Sequence, residues 1–172
     1  GLSSPSGLYG IDLKGNLDDL KRFIEAAATV GQRYLVMPWL FEEWRQTADD
    51  YKFLAHKMNE AGELTRKANI RMAYHNHHFE FQDFGGQSAY DILLQETDPR
   101  LVKMEMDIYW IVRGGADPIA LFKKQPGRFA PWHVKDMDNT NRELNTEIGQ
   151  GSIDFKQIFA HAKLTGLDYA FV

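Results

Sequence analysis

Short apolar runs alternate with helix-patterned segments along the whole chain, and this alternation constrains the fold more than any other feature. The runs occupy 34–38, 71–76, 101–108, 129–135 and 168–172. Each has the length of a buried strand. The segments between them carry apolar residues at helical spacing. In 16–30 these are Leu17, Leu20, Phe23, Ile24, Ala27 and Ala28; in 47–68 they are Tyr51, Leu54, Met58, Ala61 and Leu64. Further helices are expected over 88–96, 117–124 and 154–164. Asn16 is the expected N-cap of the first, with Asp18 and Asp19 favouring the positive end of its dipole. Asp117 and Asp154 are N-caps, and Pro118 suits the first helical position. Gly31 and Gly166 can close helices. Five strands alternating with helices indicate an α/β fold with a parallel sheet covered by helices.

Composition narrows the partners. The 172 residues include 20 basic and 24 acidic side chains, for a net charge of −4. That balance argues against nucleic-acid recognition through a basic face. No apolar run approaches the roughly 20 residues of a membrane-spanning helix, and residues 1–10 lack the pattern of a signal peptide. A cytoplasmic location with no membrane partner is expected, and export of the parent protein stays open because the start of the chain is expected to be cut. The chain has no cysteine, which excludes disulfides and thiolate metal sites. Its length suits one domain over 1–172, yet a closed (β/α)8 barrel takes about 250 residues.

In parallel α/β folds the chemistry sits where strands end. Three of the runs finish in ionisable residues: His75-Asn76-His77-His78, Glu105-Met106-Asp107 and His133-Val134-Lys135-Asp136. Alternation along a strand puts His75 and His77 on one face, and likewise His133 and Lys135. If the three ends face one cavity, His75, Asp107 and His133 can meet, and imidazole with carboxylate suits a divalent first-row ion. Such an ion supports proton abstraction beside a carbonyl. A hydrogen-bonded structural histidine is the competing reading for each histidine taken singly, as a turn cap is for Asp107. Glu80 is either a solvated loop carboxylate or an acid/base. Trp110 is hydrophobic cover or a wall for a sugar ring. Lys135 pairs with a carboxylate or holds a substrate oxyanion. Glu42 and Glu43 read as surface charges. Gly149 and Gly151 form either an anion nest or a plain turn.

The stretches Tyr74-His-Asn-His-His-Phe-Glu-Phe81, Glu105-Met-Asp-Ile-Tyr-Trp110, His133-Val-Lys-Asp136 and Glu147-Ile-Gly-Gln-Gly151 resemble the sugar phosphate isomerase/epimerase family, the xylose isomerase-like TIM barrels. The resemblance implies a (β/α)8 barrel, present here as a partial barrel of about five βα units, equivalent to strands four to eight, with the chain cut at both ends. It implies one divalent metal (Mn, Zn, Co or Mg) at the C-terminal mouth. The family's ligands are a glutamate, an aspartate, a histidine and a second glutamate. Asp107 matches the aspartate and His133 the histidine. The first glutamate position falls at His75, so either His75 replaces it or Glu80 reaches back. The second glutamate would follow Val172.

The implied activity is isomerisation or epimerisation of a keto-sugar or sugar phosphate through an ene-diolate. Glu80 and Lys135 are the implied catalytic residues, and His77, Trp110 and Lys135 the substrate contacts. With one carboxylate base in place of two, impaired activity is expected of this chain. A metal-dependent lyase or dehydratase on the same scaffold is the alternative. An apurinic endonuclease or a non-catalytic carbohydrate-binding module is less favoured. A small sugar is the expected partner, and the open strand edges of a partial barrel favour a homo-oligomer.

Overall fold

The structure, a computed structural model, describes residues 2–172. It divides into two compact units. The first takes in the chain up to His75 together with Asp83–Lys103; the second is Asn76–Gln82 with Met104–Val172.

In the first unit, β1 (Ser6–Leu8), β2 (Tyr34–Met37) and β3 (Arg71–His75) pair in parallel, with Tyr34 opposite both Ser6 and Arg71. The crossovers are helical: α1 (Asp18–Thr29) joins β1 to β2 and α2 (Ala48–Arg66) joins β2 to β3. β2 is buried throughout, as a strand covered on both faces must be. α2 turns Tyr51, Leu54, Met58 and Ala61 inward and packs on β3 and on α3 (Ala89–Glu96). At α2's start, Thr47 Oγ1 accepts from the Asp50 N–H and the Asp50 carboxylate accepts from the Thr47 N–H, a reciprocal capping box.

In the second unit, β4 (Val102–Asp107) runs from the first unit's last residues into α4 (Ile108–Arg113), and α5 (Pro118–Lys124) follows. β5 (Pro131–His133) pairs in parallel with β4, Asp107 lying opposite His133. After it, β6 (Asp136–Met137) and β7 (Asn145–Thr146) form a small antiparallel ribbon. Two short helices, α6 (Phe155–Ala160) and α7 (Ala162–Thr165), lead to β8 (Tyr169–Phe171), which pairs in parallel with β5. Trp132 is the largest fully buried side chain, stacked on Phe122 and edge-on to Phe159. Parallel strands joined by helices make this an α/β fold of the (β/α)8 type, of which the chain carries part.

Several expectations are corrected. Six parallel strands are present among the described residues, against five expected, because β1 is held by main-chain pairing and has no apolar run to announce it. Leu17 rather than Asn16 precedes α1, at φ 62, and Asn16 Oδ1 accepts from the Asp18 N–H in a local turn. Leu64 and Ala28 are exposed instead of sharing the buried faces of their helices. The last expected helix breaks at His161, and Ile108, read as a strand residue, opens α4. No helix among the described residues is long and apolar enough to cross a membrane.

Candidate metal site

Asp107 is the last residue of β4 and the N-cap of α4. Its side chain is fully buried. Oδ1 accepts from the Trp110 N–H at 3.1 Å, which satisfies one orphan donor of the helix end. Oδ2 lies 3.1 Å from His133 Nδ1 and 3.5 Å from Lys135 Nζ. The expected parity of His133 and Lys135 thus holds in space: both reach the same carboxylate oxygen. The main chain of Asp107 is fixed as well. Its N–H donates to Asn76 Oδ1 at 3.0 Å, and Asn76 Nδ2 donates to its carbonyl at 3.3 Å. Asn76 is buried and acts as a side-chain surrogate for a strand partner. A lone amide among histidines carries no metal-ligand signal, so residue type alone does not point to Asn76.

His75 ends β3 and is buried. One ligand atom from each of His75, Asp107 and His133 lies within 4.8 Å of the others. Two imidazole nitrogens and a carboxylate oxygen are donors that suit Zn²⁺, Mn²⁺ or Co²⁺. Metal–ligand bonds of about 2.0–2.2 Å put donors at most about 4.4 Å apart, so small side-chain adjustments close the cluster on an ion. The residues present therefore fit one divalent metal.

The remaining expected residues, His77, Glu80, Trp110 and Lys135, all lie in the second unit. His77 does not continue the face of His75, because β3 stops at His75. It lies half-buried on the way into a single 3-10 turn, Phe79–Phe81, stacked on Phe79 at 5.4 Å and tilted against Trp110 at 5.3 Å. Glu80 is fully buried on that turn, where Oε2 accepts from the His77 N–H at 2.9 Å. The solvated-loop reading of Glu80 is thereby corrected: burial of a carboxylate demands such partners. Trp110 is half-buried, with Lys135 Nζ and Arg113 Cζ each 5.0 Å from its ring centroid and His78 at 5.2 Å. Lys135 Nζ also lies 5.1 Å from the Tyr109 ring. Cations over aromatic faces are attracted by the ring quadrupole, which holds the Lys135 stem in place.

Gly149 and Gly151 do form an anion nest, and the anion is the chain's own Asp136 carboxylate, fully buried. Asp136 was not expected to have a role; its signal is the glycine pair 13 and 15 residues downstream. Nearby, hydrogen bonds from the Thr140 hydroxyl and from the Thr140 and Asn141 N–H groups hold Asp138 below the ordinary carboxylate range.

A family model described as xylose isomerase-like TIM barrel matches residues 6–172. Among curated proteins, the inosose dehydratase of Clostridium tetani is 30% identical over 131 residues, which cover 66% of this chain and 43% of that protein. That of Clostridium botulinum (strain Eklund 17B / Type B) is 30% identical over 129 residues, 64% of this chain and 42% of the relative. The chain thus spans under half the length of these relatives. A solved sugar phosphate isomerase/epimerase from Parabacteroides distasonis matches with a TM-score of 0.81 at 29% identity, covering 100% of this chain and 63% of its own. With a family match from β1 to the last residue, and a solved barrel that accompanies the chain throughout, the protein belongs to the xylose isomerase-like TIM barrels.

Proposed function

We propose that this chain carries the site of a metal-dependent dehydratase acting on a small polyhydroxylated ketone. The observation that carries the reading is the cluster of two imidazoles and one carboxylate at strand ends, His75 and Asp107 buried and His133 half-buried. Two curated relatives at 30% identity named inosose dehydratase favour dehydration over the isomerisation expected from sequence. When bound, the ion supplies a Lewis acid that polarises substrate oxygens. His75, Asp107 and His133 would hold it.

The chain's own groups do the rest. Glu80 is assigned the proton on the carbon beside the carbonyl; its carboxylate is oriented by the His77 N–H. Breaking that C–H bond leaves the electron pair delocalised toward the carbonyl oxygen. The adjacent C–O bond then breaks, and Lys135 is assigned the proton that lets hydroxide leave as water. Asp107 and the rings of Tyr109 and Trp110 position the ammonium for this. Trp110 and His77 border the same region and are assigned substrate contact.

A second reading, epimerisation by return of the proton, draws on the solved isomerase/epimerase at 29% identity. The two separate by product. Incubating the chain with Mn²⁺ and an inosose in deuterated water should yield a product lighter by one water. An epimer of unchanged skeleton carrying one deuterium establishes the second reading instead. Unchanged ketone, with no deuterium at the carbon beside the carbonyl, contradicts both.

A further inference from the structure

The segment between β5 and α6 makes an excursion that the chemistry above does not use. Its root is Asp136, next in sequence to Lys135 and three residues past His133. Four main-chain N–H groups donate to the Asp136 carboxylate: Met137 at 2.8 Å, Gly149 at 2.9 Å, Gly151 at 3.0 Å and Ile153 at 3.2 Å. The glycines are required there. Gly149 sits at φ +86, and a Cβ on Gly151 would overlap the Met137 carbonyl oxygen and Asp136 Oδ1. Main chain and side chains reinforce the closure, with Ser152 N–H donating to the Met137 carbonyl at 2.9 Å and Asn139 Nδ2 to that of Gln150 at 2.6 Å.

The far end of the excursion is tied to α4. The Tyr109 hydroxyl donates to the Arg142 carbonyl at 3.1 Å, Arg142 Nη2 donates to the Val112 carbonyl at 2.8 Å, and Arg113 pairs with Glu143 at 3.4 Å. α4 is the helix that Asp107 caps and that carries Trp110. One end of the excursion therefore adjoins the stretch that carries His133 and Lys135, and the other holds the helix that Asp107 caps.

We propose that Asp136 is a positioning residue: by gathering the excursion into a closed strap it fixes α4, and with it Asp107, against His133 and Lys135. The inference rests on the metal reading of that cluster. A buried carboxylate accepting four N–H groups is a rigid root, and groups that orient ligands typically govern metal affinity at least about tenfold. Replacing it by asparagine keeps the shape but turns one acceptor into a donor facing N–H groups, so part of the nest is left unmatched.

The test combines hydrogen exchange with Co²⁺ titration of the wild-type chain, Asp136→Asn and Arg142→Ala. Arg142 is exposed, so its variant removes the side-chain tie to the Val112 carbonyl without a buried defect, leaving the Tyr109 and Arg113 ties in place. In metal-free protein, both variants should exchange faster through 138–152 and through α4. In Co²⁺ titrations both should bind more weakly, Asp136→Asn by about tenfold, with an altered visible absorption band. Faster exchange confined to 138–152, with α4 protection and the Co²⁺ band unchanged, overturns the proposal. Should Asp136→Asn not fold, Arg142→Ala decides by the same readouts. Absence of Co²⁺ binding by wild type refutes the metal reading instead, and the exchange data still judge whether the strap holds α4.

Discussion

Asp107 does two jobs with two oxygens, and they can be separated. Oδ1 caps α4 and Oδ2 faces His133 and Lys135. Asparagine caps a helix about as well as aspartate, whereas alanine loses about 1 kcal/mol. Asp107→Ala should therefore be less stable than Asp107→Asn by about 1 kcal/mol in metal-free denaturant unfolding, while both lose divalent-metal affinity. Retained affinity in Asp107→Asn would remove the carboxylate from the ligand set. At this scale the sequence was readable where an apolar run ends on an ionisable residue: that pattern exposed His75, Asp107 and His133. Asn76 and Asp136 escaped because their partners are main-chain groups, which leave no mark on residue type. The burial of Glu80 escaped for a similar reason, since a 3-10 turn, and not the strand, fixes its direction.

Elements were legible in proportion to their patterning. β2 and α2 carry unbroken apolar runs or faces and emerged close to their expected bounds. β1 is three residues with no buried side chain, and α4 is written in Ile, Tyr, Trp and Val, which suit strands as well. There the Asp107 cap and tertiary context decide the state. The capping box of α2 yields a pH prediction. The Thr47 hydroxyl, opposed in part by burial and aided by Lys14, holds the Asp50 carboxyl below its ordinary value. A lowered folded value means the contribution is complete above the ordinary carboxylate range and is lost as pH falls through the folded value. Asp50→Asn should thus cost about 1 kcal/mol near neutral pH. The gap to wild type should close under acid in denaturant titrations at several pH values. A gap that stays constant with pH would deny the cap its charge.

At the scale of the whole molecule, parallel strands joined by helices bring ionisable residues to strand ends, and the family match runs along the same stretch. The alternation of runs and helices was enough to identify that architecture, because a parallel sheet needs a helical crossover for each return. It could not choose among reactions, since the same scaffold serves dehydratases and isomerases. Everything proposed about activity depends on one property, that His75, Asp107 and His133 hold a divalent ion. The direct measurement is metal stoichiometry and affinity of the purified chain beside His75→Ala and His133→Ala, by competition with a chromogenic chelator. One ion per wild-type chain, with affinity reduced by at least about tenfold in each variant, is the expected result. Equal metal content and affinity in all three proteins would contradict the account.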